Sequence, residues 1–127
     1  GMVSVFLRRG DKDKEMRIAT ARQVLGFVPA RTRDVFALSD SVDALEEFRA
    51  MARTAGRGFR VWGLNTSVDN PKGFNFFEMR GMFGRSAIVR HVQDLLGGLY
   101  ISAAGTVIVG QLHSNWCRLI HELHDAR

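Results

Sequence analysis

The chain has 127 residues, with 18 Lys and Arg against 13 Asp and Glu, for a formal charge of +5. That length suits one domain with a real core, and the apolar and charged fractions exclude wholesale disorder. A single cysteine, Cys117, excludes an intrachain disulfide framework and points to a reducing, cytoplasmic setting. The basic balance admits an acidic partner without requiring one, because net charge also serves solubility. Gly1 ahead of Met2 reads as a remnant of tag removal, and the residues after it show no signal-peptide pattern.

Val3 to Leu7 alternates apolar and polar residues and predicts a strand, followed by a polar turn at Gly10-Asp11-Lys12-Asp13. Glu15 to Leu25 fits two patterns. Ile18, Ala21 and Leu25 share a helical face that Gly26 would cap, while Met16, Ile18 and Thr20 alternate as a strand would. Helix is the reading adopted. Val35 to Leu38 is a short apolar run suited to a buried strand. Ser39-Asp40-Ser41 then supplies N-cap chemistry for a helix with Val42, Leu45, Phe48, Ala52 and Ala55 on one face and Gly56 at its stop.

Phe59 to Leu64 predicts another strand, Asn65 to Gly73 a loop, and Phe74 to Met79 a further strand. Ser86 opens a helix whose apolar arc is Ile88, Val89, Val92, Leu95 and Leu96, ended by Gly97-Gly98. Leu95 to Leu112 carries no charge and nearly has the length of a membrane span. Ala103-Ala104-Gly105-Thr106 reads as a turn inside it, between two β-prone runs, so the expectation is a buried Tyr100–Val109 hairpin and no membrane span. A last helix, about Ser114 to Asp125, would bury Trp116, Leu119, Ile120 and Leu123. This order predicts a single α+β domain over 1–127. It would be a mixed or antiparallel sheet of five to six strands, covered by a single layer of three to four helices.

Four constellations carry chemistry. The first is Lys72-Gly73-Phe74-Asn75-Phe76-Phe77, a strand pattern whose alternate aromatics could stack bases beside Lys and Arg. Lys72, Gly73, Phe74 and Phe76 resemble the first ribonucleoprotein motif of RNA-recognition and cold-shock domains. Trp62 stands upstream, where cold-shock strands also carry a Trp. Asn75, Phe77 and Met79 depart from that pattern, and no second motif accompanies it. In the Arg- and aromatic-rich middle, Trp62, Phe74 and Phe76 would stack on bases, and Lys72, Arg80, Arg85 and Arg90 would contact phosphate.

The second constellation is the stripe His113, Cys117, His121 and His124, spaced four, four and three. Imidazole and thiolate suit zinc, copper or haem iron, although one helix cannot surround an ion alone. The third is the loop Arg80-Gly81-Met82-Phe83-Gly84-Arg85-Ser86, which feeds a helix N-terminus and could hold an anion. It is neither a P-loop nor a Rossmann fingerprint. The fourth is Ser39-Asp40-Ser41 at a strand end, with Asn65 and Thr66 at the end of another. N-capping accounts for the first three, and no nucleophile elbow or triad order is present.

The reading adopted is a self-associating binding module rather than an enzyme, with no cofactor. It would engage single-stranded nucleic acid or another anionic ligand through residues 59–90. The alternatives are a metal or haem protein using the His/Cys stripe, and a structural or regulatory interaction domain.

Overall fold

The computed structural model describes residues 1–9, 17–64, 81 and 84–127. Its elements are β1 (Met2–Leu7), α1 (Ala21–Phe27), β2 (Asp34–Ser39), α2 (Val42–Thr54), β3 (Arg60–Trp62), α3 (Arg85–Ala103), β4 (Val107–Val109) and α4 (Asn115–Asp125). The four strands form one sheet in the order β3-β2-β1-β4. Every pairing is parallel: Met2 to Leu7 against Asp34 to Ser39, Val3 to Val5 against Val107 to Val109, and Asp34 to Phe36 against Arg60 to Trp62.

This corrects the expected mixed or antiparallel sheet of five to six strands. The described strands number four, they are all parallel, and helices cover both faces rather than one. The physical reason lies in the connections. Parallel neighbours need a crossover, and right-handed crossovers fix which face each helix takes. Stepping from β1 to β2 to β3 lays α1 and α2 on one face. Returning past β1 to β4 lays α3 and α4 on the other. The expected strand at Phe74–Met79 and the turn at Gly10–Asp13 lie outside the described residues.

The two central strands are buried on both sides, as parallel strands under two helix layers must be. Val3, Val5, Leu7, Val35 and Ala37 pack with Val24, Leu25, Ala44, Leu45, Phe48, Ala52 and Phe59 on the first face. Phe6, Phe36 and Leu38 pack with Leu99, Cys117 and Ile120 on the second. Ser4 gives β1 its look of alternation, yet it is as buried as its neighbours.

The first-face helices follow their local signals. Thr20 and Gln23 form a reciprocal capping box on α1 (Gln23 N to Thr20 Oγ1 3.2 Å, Thr20 N to Gln23 Oε1 2.9 Å). The helix therefore starts at Ala21, within the ambiguous stretch, and Gly26 lies inside it rather than capping it. Ser41 caps α2 through Ala44 N. Gly56 ends it at φ 64°, with Arg57 N bonding Ala52 O (3.0 Å) and Gly56 N bonding Arg53 O (3.0 Å).

The second face departs from expectation. Gly97-Gly98 does not end α3, which runs on to Ala103, so the predicted Tyr100–Val109 hairpin is a helix end followed by one short parallel strand. A Cβ at Gly98 would sit 2.5 Å from Leu38 Cδ1 and 3.3 Å from Leu64 Cδ1. Gly98 is there for close approach of helix to sheet. The residues that α3 buries are His91, Gly98, Leu99, Ser102 and Ala103, whereas Val89, Val92 and Leu96 of the expected core arc are exposed. In α4, Cys117 and Ile120 are buried, Trp116 and Leu123 pack beside them, and Leu119 is exposed. No helix among the described residues is long and apolar enough to cross a membrane.

Candidate anion-binding site at the carboxyl edge of the sheet

In an open parallel sheet, ligands bind beyond the carboxyl ends of the strands where the chain reverses its direction of winding. Here that point lies between β1 and β4. Three strand ends converge on it. β1 runs into Arg8 and Arg9, β2 into Asp40 and Ser41, and β4 into Gly110 and Gln111.

Asp40 organises this edge. Its carboxylate is buried and forms an ion pair with the Arg8 guanidinium. The Arg9 backbone N–H donates to its other oxygen at 2.8 Å. Arg9 Nη1 donates to the carbonyls of Arg8 (3.0 Å) and Ala19 (3.1 Å), and Nη2 lies 3.5 Å from Glu47 Oε2. Ser39 Oγ donates to Leu7 O (2.6 Å) and accepts from Ser41 N (3.0 Å), joining the ends of β1 and β2. Burial raises the Asp40 carboxyl above its ordinary range, while the Arg8 charge and the Arg9 N–H pull it back. The two arginines are thus held in place by the protein's own carboxylates and carbonyls.

Gln111 closes the other side. Its Oε1 accepts from Ala19 N (2.9 Å) and its Nε2 donates to Arg17 O (2.7 Å), tying the entry of α1 to the end of β4. Ser114 then begins α4 with its N–H on Gln111 O (2.9 Å), but its side chain makes no capping bond. The α4 N-terminus, with its partial positive charge, therefore opens at the same sheet edge. Gly110 lets α4 approach: a Cβ there would lie 2.6 Å from Cys117 Sγ and 3.4 Å from Phe6 Cβ.

The residues singled out from sequence fall elsewhere. Trp62 ends β3 and is 53% exposed. Its indole N–H donates to Asp34 Oδ1 (3.0 Å), and the Arg60 guanidinium lies 5.6 Å from the ring while donating to both Asp34 oxygens (2.9 and 3.2 Å). The Trp62 hydrogen bond and then that of Arg60 hold the Asp34 carboxyl below its usual range. Trp62 and Asp34 line an open cleft of about 550 Å³ with Arg31, Arg33, Met2 and Gly1. Lys72, Phe74, Phe76 and Arg80 lie outside the described residues, as do Asn65 and Thr66. Arg85 is the first residue of α3, and Arg90 is exposed further along the same helix.

The His/Cys stripe is divided. His113 is exposed before α4, and Cys117 is buried, with its thiol pushed up to about 11 by desolvation. His121 is half-buried, and His124 Nδ1 lies 3.0 Å from Ala103 O. His91 is buried in α3, where desolvation lowers its pKa against the opposing charge of Asp94. Among the described residues no group of three or more His, Cys, Asp or Glu side chains is placed to hold a metal ion.

Arg8, Arg9 and Gln111 were not among the residues marked by sequence, and Asp40 was read there only as part of a capping segment. Their signal is a pair of Arg directly after an apolar strand. It acquires meaning once that strand is central and parallel. Fold and site together define a doubly wound α/β domain whose switch point holds two carboxylate-paired arginines. No protein-family model, curated protein or solved structure matches the chain.

Proposed function

We propose that the protein binds a phosphorylated small molecule at the carboxyl edge of its sheet, and that a nucleoside diphosphate is the class of ligand it takes. The observation that carries this reading is the Asp40-buttressed Arg8–Arg9 pair at the switch point. The run β1-α1-β2-α2-β3 has the strand order 3-2-1 of one mononucleotide-binding half of a doubly wound sheet. Such halves usually hold phosphate with a glycine-rich turn. That fingerprint is absent after β1, where two guanidiniums stand instead. A guanidinium offers five N–H donors, so one that rests on a carboxylate can exchange a contact to a protein group for a bidentate contact to a phosphate.

The test is thermal unfolding and calorimetry with inorganic pyrophosphate and a set of nucleoside diphosphates at two salt concentrations. The reading expects saturable binding that weakens with salt and falls at least about tenfold in Arg8→Ala or Arg9→Ala. Asp40→Asn should weaken binding too, by loosening both arginines. Absence of binding at millimolar pyrophosphate and nucleotide would contradict the reading.

A second reading keeps the nucleic-acid expectation. The exposed Trp62 indole, fixed by Asp34 and bordered by Arg31, Arg33 and Arg60, offers a stacking surface for a base. Quenching of tryptophan fluorescence by short single-stranded oligonucleotides, lost in Trp62→Phe, would support it. Quenching that persists in that variant would exclude Trp62 as the stacking residue.

A further inference from the structure

The amino edge of the sheet holds a second group of arginines, at the opposite end of β1 and β2 from Arg8 and Arg9. Met2 and Asp34 begin those strands, and they line a cleft with Trp62, Arg31 and Arg33. Each strand has six residues, so about 20 Å of sheet separates the two edges. A ligand of nucleotide size reaches one edge or the other. Two features of this cleft point to one ligand chemistry. The first is an aromatic ring fixed at the surface. The Trp62 N–H is held by Asp34, and Arg60 covers one face of the indole while gripping the same carboxylate. Among the described residues Trp62 is the one aromatic side chain lining the cleft, so a single stacking surface is on offer.

The second feature is charge. Arg60 is paired with Asp34, but among the described residues the exposed Arg31 and Arg33 side chains meet no carboxylate or carbonyl. Three guanidiniums against one carboxylate leave two positive charges beside the ring. A flat ring flanked by anions is the repeating unit of a single strand of nucleic acid. A duplex already stacks both faces of each base, and an acidic peptide brings charge without a ring. Resting on the second reading above, in which Trp62 stacks on a base, we propose that this cleft holds one nucleotide of a single strand, with its base on Trp62 and its two flanking phosphates on Arg31 and Arg33. The cleft volume of about 550 Å³ suits one such unit. Contact is to ring face and backbone, so binding is short in reach and indifferent to sequence.

NMR titration with oligothymidylates and oligoadenylates of about 3 to 12 nucleotides tests this, read at the Trp62 indole N–H and the amides of Arg33 and Arg60. The slope of log K against log salt should be about −1.4, the value for two phosphates of a single strand, and should fall to about −0.7 in Arg31→Gln or Arg33→Gln. Trp62→Ala should weaken binding about tenfold with the slope unchanged. A trinucleotide should bind nearly as tightly as the longer strands once their registers are counted, and the two base types should bind alike. No shift at the Trp62 indole with any oligonucleotide overturns the stacking reading and this inference with it. Shifts whose salt slope is indifferent to both arginine variants leave the stacking reading standing and overturn the placement of the phosphates. A hexaglutamate peptide that shifts the same resonances as strongly as the trinucleotide overturns the nucleotide as occupant.

Discussion

The two faces of the sheet are built differently. On the first face, α1 and α2 press a continuous set of aliphatic side chains around the fully buried Phe48 onto β1 and β2. Both helices carry a side-chain N-cap, and their large hydrophobics are buried or half-buried apart from Phe27. On the second face the buried cluster is smaller, Ser4, His91 and Ser102 are buried within this half, and α3 leaves its most apolar arc outside. Neither α3 nor α4 has a side-chain N-cap. The first face carries the larger buried cluster, whereas the second leaves apolar surface of α3 exposed. The proposed ligand edge lies between them.

The largest expected effect is on the first face. Phe48→Ala should cost about 3 to 5 kcal/mol in chemical denaturation, a large share of a domain's total. Ile120→Ala, its counterpart on the second face, should cost less, about 2 to 3 kcal/mol, because the cavity opens into a smaller cluster. Equal losses would remove the contrast between the faces. Gly98→Val should follow at roughly 1 to 3 kcal/mol, since its Cβ meets Leu38 and the helix must lift from the sheet. A neutral result would mean that α3 is not seated on β2.

Cys117 gives a smaller effect with a definite sign. Its folded thiol is raised from about 9.0 to about 11, so the stability tied to it is complete below pH 9 and is lost as pH rises through 11. In native protein at pH 8 it should react with a thiol reagent only as fast as the domain opens. Rapid labelling would place it outside the core. The smallest effect is expected for Leu96→Gln, within about 0.5 kcal/mol, because the side chain is exposed and no core contact is lost.

The legibility of these regions in sequence follows the same division. The first face could be read in part because its signals are local: Val35 to Leu38 as a buried run, and Ser41 and Gly56 bracketing α2, whereas the Thr20 cap of α1 went unread. The second face could not. Gly97-Gly98 looks like a helix stop, and only Leu38 across the sheet shows that Gly98 is a contact. Val89, Val92 and Leu96 look like core because periodicity reports an apolar arc without saying what covers it. Parallel pairing depends on β4 returning beside β1, a relation of residues about a hundred positions apart. The site was hidden for the same reason. Arg8 and Arg9 become a pair worth marking only when Asp40, more than thirty residues on, closes against them.

The proposed binding of a phosphorylated ligand at the carboxyl edge can be followed through backbone amide chemical shifts during titration with pyrophosphate and then a nucleoside diphosphate. Binding at this edge predicts saturable shifts concentrated at Arg9, Gln111 and the first residues of α4, and absent in the Arg8→Ala, Arg9→Ala double variant. Shifts gathered instead at Arg31, Arg33 and Trp62, or none at millimolar ligand, would contradict it.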